Sequence, residues 1–99
     1  MKILYSEFVK DDLQEIFDYL SDKNADAAYD TIDNIEKTIL RLVQFPQSGS
    51  YSKIKELRAK DIRMVPYNKY LIFYKVNKIK EELQILRIIY GARDYSNLF

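Results

Sequence analysis

The chain has 99 residues, 47% of them hydrophobic, so it can bury one core and is too apolar to be disordered. It contains no Cys and no His, which excludes a disulfide framework and a thiol nucleophile and argues against a zinc site. The net charge is only +1, but residues 1–36 carry ten acids against three lysines, and residues 37–99 carry thirteen basic residues against five acids. This asymmetry indicates two surfaces with different partners, unless it only reflects a solvated surface with clustered charges.

The same sequence features also indicate where in the cell the protein is expected. No stretch approaches the roughly eighteen apolar residues of a membrane span, and residues 1–5 are too short and too soon polar for a signal peptide. We therefore expect a cytoplasmic protein with no membrane contact and one domain over residues 1–99. Because His is absent, catalysis would have to use carboxylates, Lys, Arg, Tyr or Ser. No metal and no cofactor are expected.

The first half is predicted to be a short strand at residues 2–5 followed by a helical hairpin. Ser6 is expected to cap a first helix that ends near Ser21, and Asn24 to cap a second helix that ends before Pro46. The break between them is short, so the two helices should pack antiparallel. We expect the apolar stripe of the second helix to form the seam of this hairpin, with a dimer interface as the alternative. Apolar residues at spacings of three and four define the facing stripes: Val9, Leu13, Ile16, Phe17 and Leu20, and then Ala28, Ile32, Ile35, Ile39 and Leu42.

The second half is predicted to be β-structure. After a loop at 46–53, an irregular or extended stretch from Ile54 leads to a strand that Pro66 ends. Strong strands follow at 70–76 and 83–90, and the tail after Gly91 has room for one helical turn. The last strand is apolar on both faces and should lie inside the sheet, with Leu83, Ile85 and Ile89 in the core. The fold class is therefore α+β, in the order β-α-α-β-β-β, with the N-terminal helical hairpin packed on a small, mainly antiparallel sheet.

Several side chains stand out against this framework, each with two readings. The basic residues Lys53, Lys55, Arg58, Lys60 and Arg63 could bind phosphate or simply solvate an edge strand. Arg87 lies in an apolar strand, so it should pair with Asp94 or Asp61 or else mark a binding groove. Tyr70, Tyr74 and Tyr90 could stack on bases or pack their rings in the sheet. Leu40 and Val43 point away from the hairpin seam and would form an exposed patch.

Six short motifs follow one another along the chain: DLQEIFDYL at 12–20, AA at 27–28, FPQSG at 45–49, LR at 57–58, YLIFYKV at 70–76 and ILRIIYGARD at 85–94. In this order they resemble the motifs of the ParE/RelE superfamily of toxins: the first-helix motif, the next helical block, the helix-ending turn FPxxG, and the later LR, YLIxYRV and ILRVxHGARD blocks. Each block is weak alone, but the ordered set covers nearly the whole chain. One departure is Tyr90, where the family commonly has His.

The resemblance implies the toxin component of a type II toxin–antitoxin system, neutralised by a cognate antitoxin whose C-terminal segment wraps the toxin. It also implies one of two targets: ParE-like members inhibit DNA gyrase, and RelE-like members cleave mRNA in the ribosomal A site. RelE-like members have an Arg where this chain has Leu71 and a Tyr near the C-terminus, where Phe99 is the approximate counterpart. Two long helices are also more typical of ParE-like members. We therefore expect a non-catalytic gyrase inhibitor, with ribosome-dependent mRNA cleavage as the alternative.

The resemblance also suggests residues for each role. The family's C-terminal segment is implicated in toxicity, so Arg93, Tyr95 and Phe99 are expected to bind the target. Arg87 joins them as the residue that would mark a binding groove. The residues expected to bind the antitoxin are Leu40, Val43, Lys55, Arg58 and Arg63. Were the protein a ribonuclease, its catalytic residues would be Arg58, Arg63, Arg93 and Tyr90, with Tyr95 as a further candidate.

Overall fold

A helical hairpin covers one face of a five-stranded sheet in the computed structural model, which describes residues 1–99. The strands lie in the order β1-β5-β4-β3-β2, with β1 parallel to β5 and all other neighbours antiparallel. The α+β class, the hairpin and the interior position of the last strand are thus as predicted. The elements are β1 (Lys2–Tyr5), α1 (Val9–Ser21), α2 (Ala25–Gln44), β2 (Ser50–Tyr51), α3 (Lys55–Ala59), β3 (Arg63–Tyr67), β4 (Tyr70–Asn77) and β5 (Glu82–Tyr90).

The hairpin core forms because the apolar stripes of α1 and α2 meet the same sheet face. Asn24 caps α2 as predicted, since its side chain accepts a hydrogen bond from the backbone N–H of Ala27 at 3.2 Å. Full burial of each such aliphatic side chain stabilises the fold by about 1.5–3 kcal/mol. The buried members are Val9, Ile16, Ile35, Ile39, Leu42, Ile72, Tyr74, Leu83, Ile85 and Ile88.

The expected Ser6 cap of α1 is wrong. The helix begins at Val9, and the residue at its N-cap position, Phe8, makes no side-chain capping bond. The Ser6 hydroxyl instead donates to the carbonyl oxygen of Leu86 at 2.6 Å, while its oxygen accepts the Phe8 N–H at 3.3 Å. The reason is a bulge: Leu86 has no partner in register with β4, so its carbonyl is free for Ser6.

A second core, on the opposite sheet face, was not foreseen. Strict alternation along β5 would place Ile89 on the same face as Leu83 and Ile85. The bulge inserts one residue, so Ile88 faces the hairpin and Ile89 faces the other side. All three predicted core positions are buried, but in two cores. The buried residues of the second core are Leu57, Ile62, Phe73 and Ile89, and α3 and the C-terminal residues pack against them.

Three local predictions after Pro46 also need correction. The stretch after Ile54 is helical, because Leu57 is buried and anchors the short α3 to the second core. Pro66 lies within β3 instead of ending it; β2 pairs only with residues 63 and 64, so no strand needs the missing N–H. The tail forms turns without a helix, including one closed by the bond from the Leu98 N–H to the carbonyl oxygen of Tyr95 at 3.1 Å.

Candidate functional site

Two hydrogen bonds with the Tyr74 hydroxyl hold the loop between α2 and β2. Its hydroxyl donates to the carbonyl oxygen of Pro46 and accepts the N–H of Gly49, both at 2.8 Å. Burial raises the pKa of Tyr74, although the Gly49 hydrogen bond and the charge of Arg63 act in the opposite direction. The hydroxyl therefore stays neutral and keeps the loop in one conformation. Of the three tyrosines considered for base stacking, this one is fully buried and packs in the core.

Arg63 closes the same loop from the β3 side. Its guanidinium donates to the carbonyl oxygens of Gly49 at 2.8 Å and Gln47 at 3.3 Å, and to the Tyr51 hydroxyl at 3.1 Å. It also lies over the Tyr51 ring, 4.2 Å from the centroid. Arg63 was predicted to bind the antitoxin or to act in catalysis. The structure places it partly buried, with both terminal nitrogens already engaged by the loop.

Substitution of Gly49 should test whether Tyr74 and Arg63 clamp the loop in one conformation. A Cβ there would lie 2.6 Å from Cε1 of Tyr74 and 2.9 Å from the carbonyl oxygen of Met64, both too close. We expect Gly49→Ala to lower the free energy of unfolding by about 1–3 kcal/mol, measured by urea denaturation. The neighbouring exposed Ser48→Ala should change it by less than about 0.5 kcal/mol. Equal effects of the two substitutions would show that the loop is not clamped.

Four exposed basic side chains lie beside this loop, on and around α3. Lys53, Lys55 and Arg58 are exposed, and their side chains form no ion pair and no hydrogen bond with the protein. Lys60 is also exposed and donates to the carbonyl oxygen of Phe99 at 3.2 Å. We call these four residues the α3 surface. Its charge is available to an external anionic partner.

The C-terminal residues adjoin the α3 surface and cover the second core. The rings of Tyr95 and Phe99 lie 5.0 Å and 5.1 Å from that of Phe73, both in tilted contact. Asp94 caps a turn by accepting from the Ser96 hydroxyl and N–H, and these bonds lower the pKa of Asp94. Arg93 is exposed, with its guanidinium unbound. Of the residues predicted to meet the target, Arg93 is therefore free, whereas Tyr95 and Phe99 pack against the sheet.

Arg87 pairs with Asp12, and the predicted partners Asp94 and Asp61 are wrong. The guanidinium forms two bonds of 2.8 Å to the Asp12 carboxylate, which also accepts the Ile88 N–H at 3.0 Å. Asp12 is 5% exposed, and the Arg87 side chain is 13% exposed. The hydrogen bond to Asp12 raises the pKa of Arg87. The pair joins α1 to the bulge of β5, so Arg87 is not free to bind a target in this conformation.

Asp12 is a buried acid on a helix whose other acids are exposed. The spacing held a signal for its burial: Asp12 is three residues after Val9 and four before Ile16, so it shares their face. Helix packing against β5 then brings its carboxylate to the bulge. The 75-residue separation from Arg87 left no local sign of the partner.

A second candidate surface lies at the C-terminal end of α2. Leu40 is 59% exposed, as predicted, and Phe45 beside it is 61% exposed. Val43, the other predicted member of the exposed patch, is instead half-buried against the hairpin core. Two shallow hollows border these side chains. We call the two hollows together the α2 groove. One is lined by Lys37, Leu40, Arg41 and Gln44, and the other by Phe45, Pro46, Gln47 and Ser48.

Two of the candidate ribonuclease residues, Arg63 and Tyr90, lie apart in the sheet. Arg63 lies opposite Tyr74 on one side of β4, whereas Tyr90 lies opposite Tyr70 on the other side. These two register positions differ by four residues of β4, about 13 Å along the strand. Tyr90 is half exposed and packs edge-to-face on Tyr70 with ring centroids 6.2 Å apart. Burial and the nearby Tyr19 and Tyr90 raise the pKa of Tyr70.

Two further geometric findings bear on the class of protein. None of the helices combines the length and the apolar character that a membrane-spanning helix needs. No group of three acidic residues lies close enough together to hold a metal ion.

Comparison with known proteins identifies the family of this chain. A family model described as the ParE toxin of the type II toxin–antitoxin system parDE matches residues 3–95. The chain is therefore the toxin component of a type II toxin–antitoxin system. It belongs to the ParE toxin family.

A solved structure supports the fold independently. The chain resembles a protein of the chromosomal ParDE toxin–antitoxin system from P. aeruginosa, with a TM-score of 0.72 and 20% sequence identity. The match covers 91% of this chain and 95% of that one. A search of curated protein sequences returned no significant match. Membership of a toxin–antitoxin system implies a cognate antitoxin as partner.

Proposed function

We propose that this toxin arrests growth by binding DNA gyrase in the cytoplasm, without itself catalysing a reaction. The observation that carries the proposal is the distribution of its arginines. Arg63 and Arg87 are engaged by bonds within the fold, and the unbound Arg58 and Arg93 lie on exposed segments. Phosphodiester cleavage needs donors aimed at one phosphate. A binding surface needs only exposed, complementary charge.

The choice of gyrase over the ribosome follows the family branch and one position on β4. ParE-like members inhibit gyrase, and the chain belongs to that family. Leu71 stands where RelE-like members have an Arg, and its side chain packs against the second core. The strand therefore offers no cation at this position for charge stabilisation in an RNA-cleaving transition state.

The α3 surface and Arg93 are the proposed contact with gyrase. Contact between Lys60 and Phe99 holds α3 against the C-terminal segment, so both can meet one partner. The same free cations suit acidic residues of the antitoxin, and Lys55 and Arg58 were predicted to bind it. Neutralisation would then act partly by occlusion of the surface that meets gyrase.

Charge reversal on α3 tests this assignment in a gyrase supercoiling assay. Loss of a charge-assisted contact, with like-charge repulsion in its place, should make Arg58→Glu about tenfold or more weaker as an inhibitor. Lys10→Glu on α1 makes the same charge change on an exposed residue outside the α3 surface and should stay within about twofold of the unaltered toxin. Both proteins should unfold at the same urea concentration. Equal inhibition by the two variants would remove α3 from the contact.

The α2 groove is the proposed docking site for an amphipathic segment of the antitoxin. Leu40 and Phe45 offer apolar contacts, and Arg41 is an exposed cation between them that suits an acidic side chain. The antitoxin's shielding of these apolar groups would contribute affinity that a charged α3 surface alone does not provide.

A single substitution should separate antitoxin binding from toxicity. Leu40→Asp removes an exposed apolar anchor and should weaken the antitoxin complex about tenfold or more in a titration by isothermal calorimetry. Gyrase inhibition should be unchanged, since Leu40 lies outside the α3 surface. Gln44→Asp places the same charge in the groove without removing an apolar contact, so it serves as the control. Unchanged affinity of Leu40→Asp would place the antitoxin elsewhere.

A further inference from the structure

The turn between β4 and β5 presents one apolar side chain to solvent. Ile79 is 95% exposed, the largest value among the bulky hydrophobic residues. The turn is ordered: the Asn77 side chain accepts the Lys80 N–H at 3.1 Å, and Glu81 takes a positive φ of 53°. Turn positions usually carry Gly, Asn, Asp or Pro. A β-branched aliphatic residue here adds nothing to either core, so its presence is unexplained by stability.

Four lysines lie in this turn or in the strands next to it. Lys78 and Lys80 flank it directly, and Lys75 and Lys2 lie on the adjoining ends of β4 and β1. Lys2 is in register with Glu82, which places it beside the turn. None of the four ammonium groups forms an ion pair or a hydrogen bond with the protein. The acids nearby are Glu81 and Glu82, so positive charge is in excess.

We propose that this turn is a duplex-DNA contact, in which Ile79 inserts between base steps and Lys78 and Lys80 bind phosphates. Architectural DNA-binding proteins insert single apolar side chains, Ile among them, from the minor groove. Lys78 and Lys80 are the neighbours of Ile79 in the turn, and both are exposed. Their long side chains can therefore reach phosphates beside the inserted wedge.

The chemistry of the turn favours DNA over other anionic partners. One isolated aliphatic side chain buries too little area to hold a membrane surface, and protein-docking patches are usually contiguous. Insertion between two base pairs needs only a single side chain with cations beside it. The proposal does not depend on gyrase, because it concerns binding of the toxin itself to DNA.

Binding of the purified full-length toxin to a fluorescein-labelled 20-base-pair duplex tests the proposal, measured by anisotropy at several salt concentrations. The double variant Lys78→Gln/Lys80→Gln should reduce the salt slope of the logarithmic binding constant by about 1.8, or 0.9 per phosphate contact. Lys53→Gln/Lys55→Gln on the α3 surface is the matched control and should leave the slope unchanged. Each variant changes exposed residues only, so the fold should be kept.

Insertion of Ile79 can be measured separately from phosphate binding. Energy transfer between dyes at the two duplex ends reports bending, which insertion of Ile79 should produce. Ile79→Ser should abolish the bend and weaken binding about tenfold, with the salt slope retained. The proposal is overturned if Ile79→Ser still bends DNA, or if the α3 control loses as much slope as the turn variant. Absence of measurable DNA binding by the unaltered toxin would also overturn it.

Discussion

Replacing Asp12 by Ala should lower the free energy of unfolding by about 3–5 kcal/mol, because it leaves the largely buried Arg87 guanidinium without its partner. The same change removes an acceptor for the Ile88 N–H, at the bulge that sets the register of β5. Urea denaturation followed by circular dichroism measures the loss. Asp11→Ala, on the exposed side of the same helical turn, is the control and should change stability by less than about 0.5 kcal/mol.

A double variant shows whether the two residues act as a pair. Asp12→Ala combined with Arg87→Met removes both charges, so no unpaired buried charge remains. Its loss of stability should be smaller than the sum of the two single losses, with a coupling of about 1–3 kcal/mol. Additive losses, or an Asp12→Ala effect no larger than that of Asp11→Ala, would mean that this ion pair does not join α1 to β5.

Deletion of residues 95–99 should lower stability by about 3–4 kcal/mol, since it uncovers Phe73 and removes the rings of Tyr95 and Phe99 from the second core. Loss of toxicity in such a truncation would therefore reflect both a weakened fold and a missing contact. Thermal and urea unfolding of the truncated protein measure the first effect. Asn97→Ala, on an exposed side chain of the same segment, should unfold like the unaltered protein.

Arg93→Ala separates the two contributions that the truncation combines. Its guanidinium is exposed and unbound, so the unfolding midpoint should not change. Inhibition of gyrase should nevertheless fall if the C-terminal segment contributes a cation to the contact. A truncated protein as stable as the complete chain would contradict the role of Tyr95 and Phe99 as a cover for the sheet.

Sequence periodicity predicted the elements whose signal is local. The repeats of α1 and α2 run over several turns, and the strong strands β4 and β5 have dense aromatic and branched residues, so their bounds agree closely with expectation. The five residues of α3 are too few to show a helical period, so the sequence around their anchor Leu57 predicts only an irregular or extended stretch. The bulge in β5 is also invisible locally, because it depends on the pairing with β4.

The candidate site was predictable in composition but not in detail. The exposed cations of α3 and the exposed Leu40 follow from the sequence pattern. Arg63 looked equivalent to its basic neighbours, and only the folded loop shows that Gly49 and Tyr51 occupy its donors. A single sequence carries no sign of which residues pair over a long separation. This is why Asp12 was missed as the partner of Arg87.

The measurement that tests the central claim most directly is a supercoiling assay with purified gyrase and increasing amounts of the toxin, read together with mRNA cleavage in a translation reaction. The account predicts loss of supercoiling and trapped, cleaved DNA at toxin concentrations that leave mRNA intact. Prior addition of the cognate antitoxin should restore supercoiling. Unimpaired gyrase together with cleaved mRNA would contradict the account and make the toxin a ribosome-dependent ribonuclease.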